Sequence, residues 1–442
     1  MRDTRSRFRC LFLVLLVGGL CGSVPASAQD AAAKFSTWTK VEAAVETRDY
    51  KDKLRDGGQF DAAARSYVTQ VVLPQLGLEA NRATIERVRR RIREIVFSDI
   101  ADEKAFNDTA KTVLDTMAAV ARDGDAERVV RVNAMLLVAE LRAKDNRPLP
   151  AAAPVLAAAA SDVRQPLEVR IAAAAGLARH AEAAKAGGDM DAIAKAVGPA
   201  LVPMLTGDPK TGPAAAIDWL AGRGLAIMQA LGPKTGSKEA LAAADRILGD
   251  GSRSIDVRVR AAAALGAAAT ANAGVGAARA VESVRGVTIT GLEADLAAAE
   301  RLRMERRVAG GTGQPGGQPA AAPNNEPTIP TLACRRNAWR LAVCADAIEG
   351  ADGAAGLASL LGNAAAPAKE LAASLRKAAA GLDAHPDEQS VVEALEKLGK
   401  PVAGAAPAAN RPARPAAGEP PQEEPPKGDP ASPFDTGSPF GP

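Results

Sequence analysis

One short pattern recurs along this 442-residue chain and limits its fold more than any other feature. The stretch SIDVRVRAAAALGAAA, residues 254–269, sets two arginines two positions apart at the mouth of a run of small apolar residues. Val257-Arg258-Val259-Arg260-Ala261-Ala262 aligns with Val169-Arg170-Ile171-Ala172-Ala173-Ala174 and with Val130-Arg131-Val132-Asn133-Ala134-Met135. The first arginine of each falls at Arg131, Arg170 and Arg258, 39 and then 88 residues apart. The longer gap is two steps of about 44, so a missing member belongs near 214–222. There Ile217-Asp218-Trp219-Leu220 keeps a helical pattern without the arginine. A period of about 40 residues built from paired helices predicts an all-α chain, a right-handed α-solenoid of stacked helical hairpins.

Each unit has a helical stretch upstream, at 108–122, 151–160, 192–205 and 238–248, separated by turn residues such as Asp123-Gly124-Asp125 and Gly249-Asp250-Gly251. Those connections are too short for a strand and crossover. Aromatic residues make up only 3% of the chain, so one thick core is a poor solution. Alanine-rich helices approach closely but each buries little surface, which favours many thin helix-on-helix layers. In 255–265, Ile255, Val259, Ala262 and Ala263 form one apolar stripe and Val257, Ala261, Ala264 and Leu265 another. Two stripes are what a helix needs to pack on its hairpin partner and on the next unit together.

Asp256 to Gly266, an acidic residue followed by Val-Arg and an alanine run closing on Ala-Leu-Gly, resembles the second helix of a HEAT repeat. The resemblance is good at 256–266 and 168–178, fair at 129–139, weak near 217–226, and spans about 100–275. It implies a structural part for Arg131, Arg170 and Arg258, with Arg258 pairing with an acidic neighbour in the adjacent repeat. The pattern departs at Glu168 and Val129, which stand where the aspartate is expected.

The beginning of the chain reads as a secretory signal peptide over 1–28. Arg2, Arg5, Arg7 and Arg9 precede an apolar core, and Ala26-Ser27-Ala28 sets a cleavage site between Ala28 and Gln29. The expected location is therefore outside the cytoplasm, periplasmic or extracellular. Without the leader the chain carries 51 basic and 51 acidic residues, so the formal +3 belongs to the leader and nothing favours a nucleic-acid partner. No later stretch is apolar for long enough to span a bilayer.

The organisation that follows is an N-terminal helical region at 29–102 acting as a cap, HEAT-like repeats at 103–275 and additional helices at 276–308. A Gly/Pro-rich disordered linker at 309–330, a C-terminal helical module at 331–399 and a disordered Pro-rich tail at 400–442 complete it. The first region holds predicted helices at 60–76 and 83–100, the second carrying Arg87, Arg89, Arg90, Arg91 and Arg93. That helix is either a solvated outer surface or a docking face for anionic lipid or envelope polymer. Cys334 and Cys344 are the two cysteines beyond the leader. Export suggests a disulfide between them, against which stands their separation of about 15 Å if one helix carries both.

Residues with a pattern that specifies chemistry are scarce. His180 near a helix end and His385 in a turn fall in separate modules, with no second ligand at metal spacing. Gly311-Thr312-Gly313-Gln314-Pro315-Gly316 has neither strand before it nor helix after it, and Gly232-Pro233-Lys234-Thr235-Gly236-Ser237-Lys238 has the wrong spacing for a phosphate loop. The latter reads as a turn ending in a Ser237 N-cap. No cofactor, metal or catalytic residue is expected. The reading is a non-catalytic scaffold or assembly factor that binds another protein or peptide; the alternatives are an envelope-surface protein and an enzyme of unknown class.

Overall fold

The computed structural model describes residues 40–207, 212–269, 276–310, 329–351 and 353–399, all within one unit of the chain, 27–405. The expected leader over 1–28 with its expected Ala28–Gln29 cleavage site, the Gly311 to Gly316 stretch and the tail beyond residue 399 lie outside the described residues. Every extended element among the described residues is a helix, apart from one isolated bridge between Arg142 and Pro148.

First come α1 (Lys40–Arg55), α2 (Ala62–Tyr67) and α3 (Ile85–Phe97). The helix predicted at 60–76 is shorter than expected. It widens into a π turn over Val68–Val72 and tightens into a 3-10 turn over Leu73–Leu76, where Pro74 has no amide to donate. Five hairpins follow. Their first helices are α4 (Glu103–Arg122), α6 (Ala152–Ser161), α8 (Met190–Leu205), α10 (Lys238–Gly249) and α12 (Ala277–Gly310). Their second helices are α5 (Arg128–Glu140), α7 (Leu167–Lys185), α9 (Ala214–Leu231), α11 (Ile255–Ala267) and α13 (Thr331–Glu349). Beyond a 3-10 segment at Leu357–Ala364 lie α14 (Ala365–Ala384) and α15 (Glu388–Gly399).

Packing follows two rows. Each first helix touches its own partner and the first helix of the next hairpin, α4 to α6 to α8 to α10 to α12. Each second helix does likewise, α5 to α7 to α9 to α11 to α13, with α3 against α5 at one end and α14 against α13 at the other. The sequence placed two helices at 276–308; the structure has one of 34 residues, which continues to Gly310, two residues into the segment read as linker. Gly286 and Gly291 sit inside it without breaking it, since a single interior glycine costs only about 1 kcal/mol.

The local chemistry differs between rows. Three of the first helices start from a side-chain cap: Asp102 accepts from the Ala105 amide at 2.7 Å, Asp189 from Ala192 at 2.9 Å and Ser237 from Ala240 at 3.1 Å. All five second helices instead follow a residue of one backbone shape and no side-chain cap. Glu127, Pro166, Pro213, Ser254 and Pro330 have φ between −52° and −58° and ψ between 138° and 144°. Proline fixes φ near this value in advance, which accounts for its appearance at three of the five. By this measure α9 and α13 begin as the three arginine-bearing helices do.

Glycine allows the closest approach between second helices. A Cβ on Gly176 would stand 2.6 Å from the Ala139 Cβ of α5, and one on Gly266 would overlap the Ala347 backbone of α13. Gly266→Ala should therefore lower stability by about 2–3 kcal/mol, because backbone cannot yield as a side chain can. Gly286→Ala, with nothing within 4 Å, should raise stability by about 0.5–1 kcal/mol. Urea unfolding of the two variants checks the contrast; equal effects would show that the approach at Gly266 is not tight.

Candidate functional site

The recurring arginine occupies the fourth position of its helix in α5, α7 and α11. Its Nε donates to a backbone carbonyl ten residues upstream: Arg131 to Ala121 at 3.1 Å, Arg170 to Ala160 at 3.0 Å, Arg258 to Leu248 at 3.0 Å. Each acceptor is the penultimate residue of the first helix in the same hairpin, one of the carbonyls a helix end leaves unbonded. The acidic partner implied by the family resemblance is thus replaced by main chain. Arg131 adds a 2.6 Å bond to Gln165, and Arg170 reaches across to Pro203 O of α8 at 3.2 Å. That second reach explains why α9 can do without its own arginine. Ile217 stands at the fourth position there, buried, while Arg170 already serves the end of α8. Burial depresses the pKa of Arg170 and Arg258 by stripping water from the guanidinium.

Acidic residues near the starts of the second helices do pair with neighbouring units, but through other arginines. Glu168 lies 3.3 Å from Arg128, Asp218 2.6 Å from Arg253, and Asp256 2.7 Å from Arg340 of α13. Arg340 is buried and also donates to Asn337 at 2.9 Å, while Asn337 and Arg336 both donate to Asp295 of α12. Asn133 and Asn337, which the sequences around Arg131 and Arg335 align, do the same work: the Oδ1 of each accepts from a buried guanidinium.

The five arginines of α3 do not form one face. Arg87, Arg90 and Arg91 are exposed, and Arg90 lies 3.6 Å from Glu86. Arg89 turns inward with Ile85, Ile92 and Val96, donating to Asn133 at 2.6 Å and to Glu140 of α5 at 3.1 Å. Arg93 follows it to within 3.3 Å of the same carboxylate. Four residues apart on a helix, the two share a side, so helix phase separates them from the rest of the run.

Arg93 marks the edge of a cleft of about 580 Å³. The end of α5, the turn that follows it and the later half of α7 form its walls. Hydrogen bonds close the turn: Asp145 accepts from the Arg147 amide at 3.0 Å, Asn146 takes a left-handed φ of 66°, and Leu149 N donates to Leu141 O at 3.0 Å. It thereby sets Arg142 and Arg147 opposite Arg179 and Glu182 of α7. Arg142 donates to Asn146 O at 2.8 Å and Arg179 to Ala139 O at 3.4 Å. Arg179 is exposed at the mouth of the cleft; packing around its guanidinium, then Arg89, Arg142 and Arg93, lower its pKa, with Glu140 pulling the other way. No sequence pattern marks this cleft, because its cations come from three separate segments.

Cys334 and Cys344 are free thiols on the one helix α13, where ten residues at 1.5 Å each set them about 15 Å apart, the separation that stands against a bridge. Burial pushes the Cys344 thiol up to about 12. His180 is not at a helix end, since α7 runs on to Lys185, and only 3% of it is exposed. Gly232–Thr235 is a 3-10 turn leading to the Ser237 cap. Among the described residues no helix is long and apolar enough to cross a membrane. No protein-family model, curated protein or solved structure matches the chain.

Proposed function

We propose that this chain is an exported, HEAT-like α-solenoid that serves as a non-catalytic scaffold or assembly factor, binding another protein along the uncovered side of its second helices. One observation carries the reading. Tryptophan and arginine occur together on these helices: Trp219 of α9, half-buried, stacks under Arg223 at 4.2 Å, and Trp339 of α13 is 42% exposed. Arg260 of α11, the helix between them, is also exposed. Tryptophan and arginine dominate the energetics of protein interfaces, whereas isolated α-helical surfaces usually carry lysine and glutamate. The regular leading residues of the five second helices, and the two-row packing, support the solenoid.

A photo-crosslinking residue at Trp219 and at Trp339, with a third at Lys111 on α4 as the control, tests this in the native host. The expected result is one shared crosslinked protein at both tryptophan sites and not at Lys111. The same products at all three positions, or none at the tryptophans, would overturn the reading.

A further inference from the structure

The cleft between α5 and α7 holds more positive than negative charge in a recess. Arg93, Arg142, Arg147 and Arg179 line it against the carboxylates of Glu140 and Glu182. Glu140 is already engaged by Arg89 and Arg93, so its charge is spent on α3. Arg142, Arg147 and Arg179 are tethered largely through neutral main-chain oxygens: Arg142 on Asn146 O, Arg179 on Ala139 O, Arg147 on Gly187 O at 3.5 Å. The nearest carboxylate to Arg147 is Asp145 at 3.6 Å, and both side chains are exposed. A carbonyl orients a guanidinium without cancelling its charge, and the remaining N–H groups stay available to a bidentate acceptor. Gathering like charges in this way costs free energy that an anionic ligand would recover.

We propose that this cleft is the acidic-peptide site of the scaffold: it takes a segment of the partner protein that carries successive carboxylates. The proposal rests on the scaffold reading above and adds the chemistry of the partner. The distribution of the arginines favours a chain over a single small oxyanion. Arg142 and Arg147 stand on the turn and Arg179 on α7, each held by a different anchor, in a volume far larger than one tetrahedral anion needs. Such an arrangement matches carboxylates repeated along a peptide.

Fluorescence anisotropy of the full chain with a labelled hexaglutamate peptide tests it, with hexaglutamine as the neutral control and inorganic phosphate as competitor. The glutamate peptide should bind at least tenfold more tightly than the glutamine one, with affinity falling as salt rises. Arg147→Gln with Arg179→Gln should weaken it at least tenfold, with helical content and melting temperature unchanged. Arg147→Lys with Arg179→Lys, which keeps the charge, should stay within about threefold of the parent, and Arg87→Gln with Arg91→Gln should leave it unaltered. Equal loss in the α3 variant would mean non-specific attraction, and displacement by equimolar phosphate would mean a small-oxyanion site. Either result overturns the proposal, as does full binding in the Arg147/Arg179 glutamine variant. If the crosslinks at the tryptophans form while the peptide does not bind, the cleft assignment alone fails; the reverse outcome removes the scaffold reading alone.

Discussion

Arg170→Ala is expected to destabilise the protein by about 4 kcal/mol, more than truncation of either related arginine. Its side chain is 1% exposed and holds carbonyls from two different first helices, Ala160 of α6 and Pro203 of α8. Alanine would leave both carbonyls without a partner and open a cavity between hairpins. Each buried unpaired carbonyl costs about 1–3 kcal/mol and the cavity adds to that. Arg170→Met restores most of the volume but none of the bonds, and should recover roughly half of the loss. Arg131 is only half-buried, so Arg131→Ala should cost about 1–2 kcal/mol. Denaturant unfolding of the three variants separates the contributions. If Arg170→Met were as stable as the parent, packing alone would explain the residue and its two bonds would contribute nothing.

The second large effect concerns pH. His180 is buried, its Nε2 lacks a hydrogen-bond partner, and its pKa is lowered to about 4, chiefly by burial and secondarily by Arg179. In the unfolded chain the same group titrates near 6.5. Between those values the unfolded state binds more protons, so stability rises with pH. The contribution is whole above pH 6.5 and declines as pH falls towards 4, reaching a loss of about 3 kcal/mol at pH 4. Carboxylates titrate in the same region, so the informative quantity is the difference between the parent and His180→Leu. The leucine variant should lose about 3 kcal/mol less than the parent on going from pH 7.5 to pH 4. Parallel pH profiles for the two would mean that His180 is protonated at no cost in the folded state.

The helices of the hairpins were legible in the sequence because their signal is local. The alanine-rich stripes, the Asp189 and Ser237 caps and Pro166 and Pro213 at their helix starts all act within a turn or two. The partner of the recurring arginine was not legible. A carbonyl exists at every residue, so no side chain marks Ala121, Ala160 or Leu248 as an acceptor, and an acidic neighbour was expected instead. The α3 arginines misled for a related reason. An apolar stripe with every arginine on the opposite face was the expectation, whereas Arg89 follows the spacing of Ile85, Ile92 and Val96 and turns inward with them. That spacing was available in the sequence. The cleft was not, because its arginines lie on α3, on the turn after α5 and on α7, and only the packing of hairpins brings them together.

The long helix α12 has a consequence for the order of assembly. Hairpins from α4 to α11 meet partners made shortly before them, so each can settle as soon as it is synthesised. Residues of α12 also pack against α15, and Arg285 donates at 3.0 Å to Leu398 O, 113 positions downstream and again the penultimate carbonyl of a helix. One side of α12 must therefore wait for α15, the last helix among the described residues, before it is covered. The array closes late at this point, and a nascent chain halted before Leu398 would hold finished early layers beside an uncovered final one.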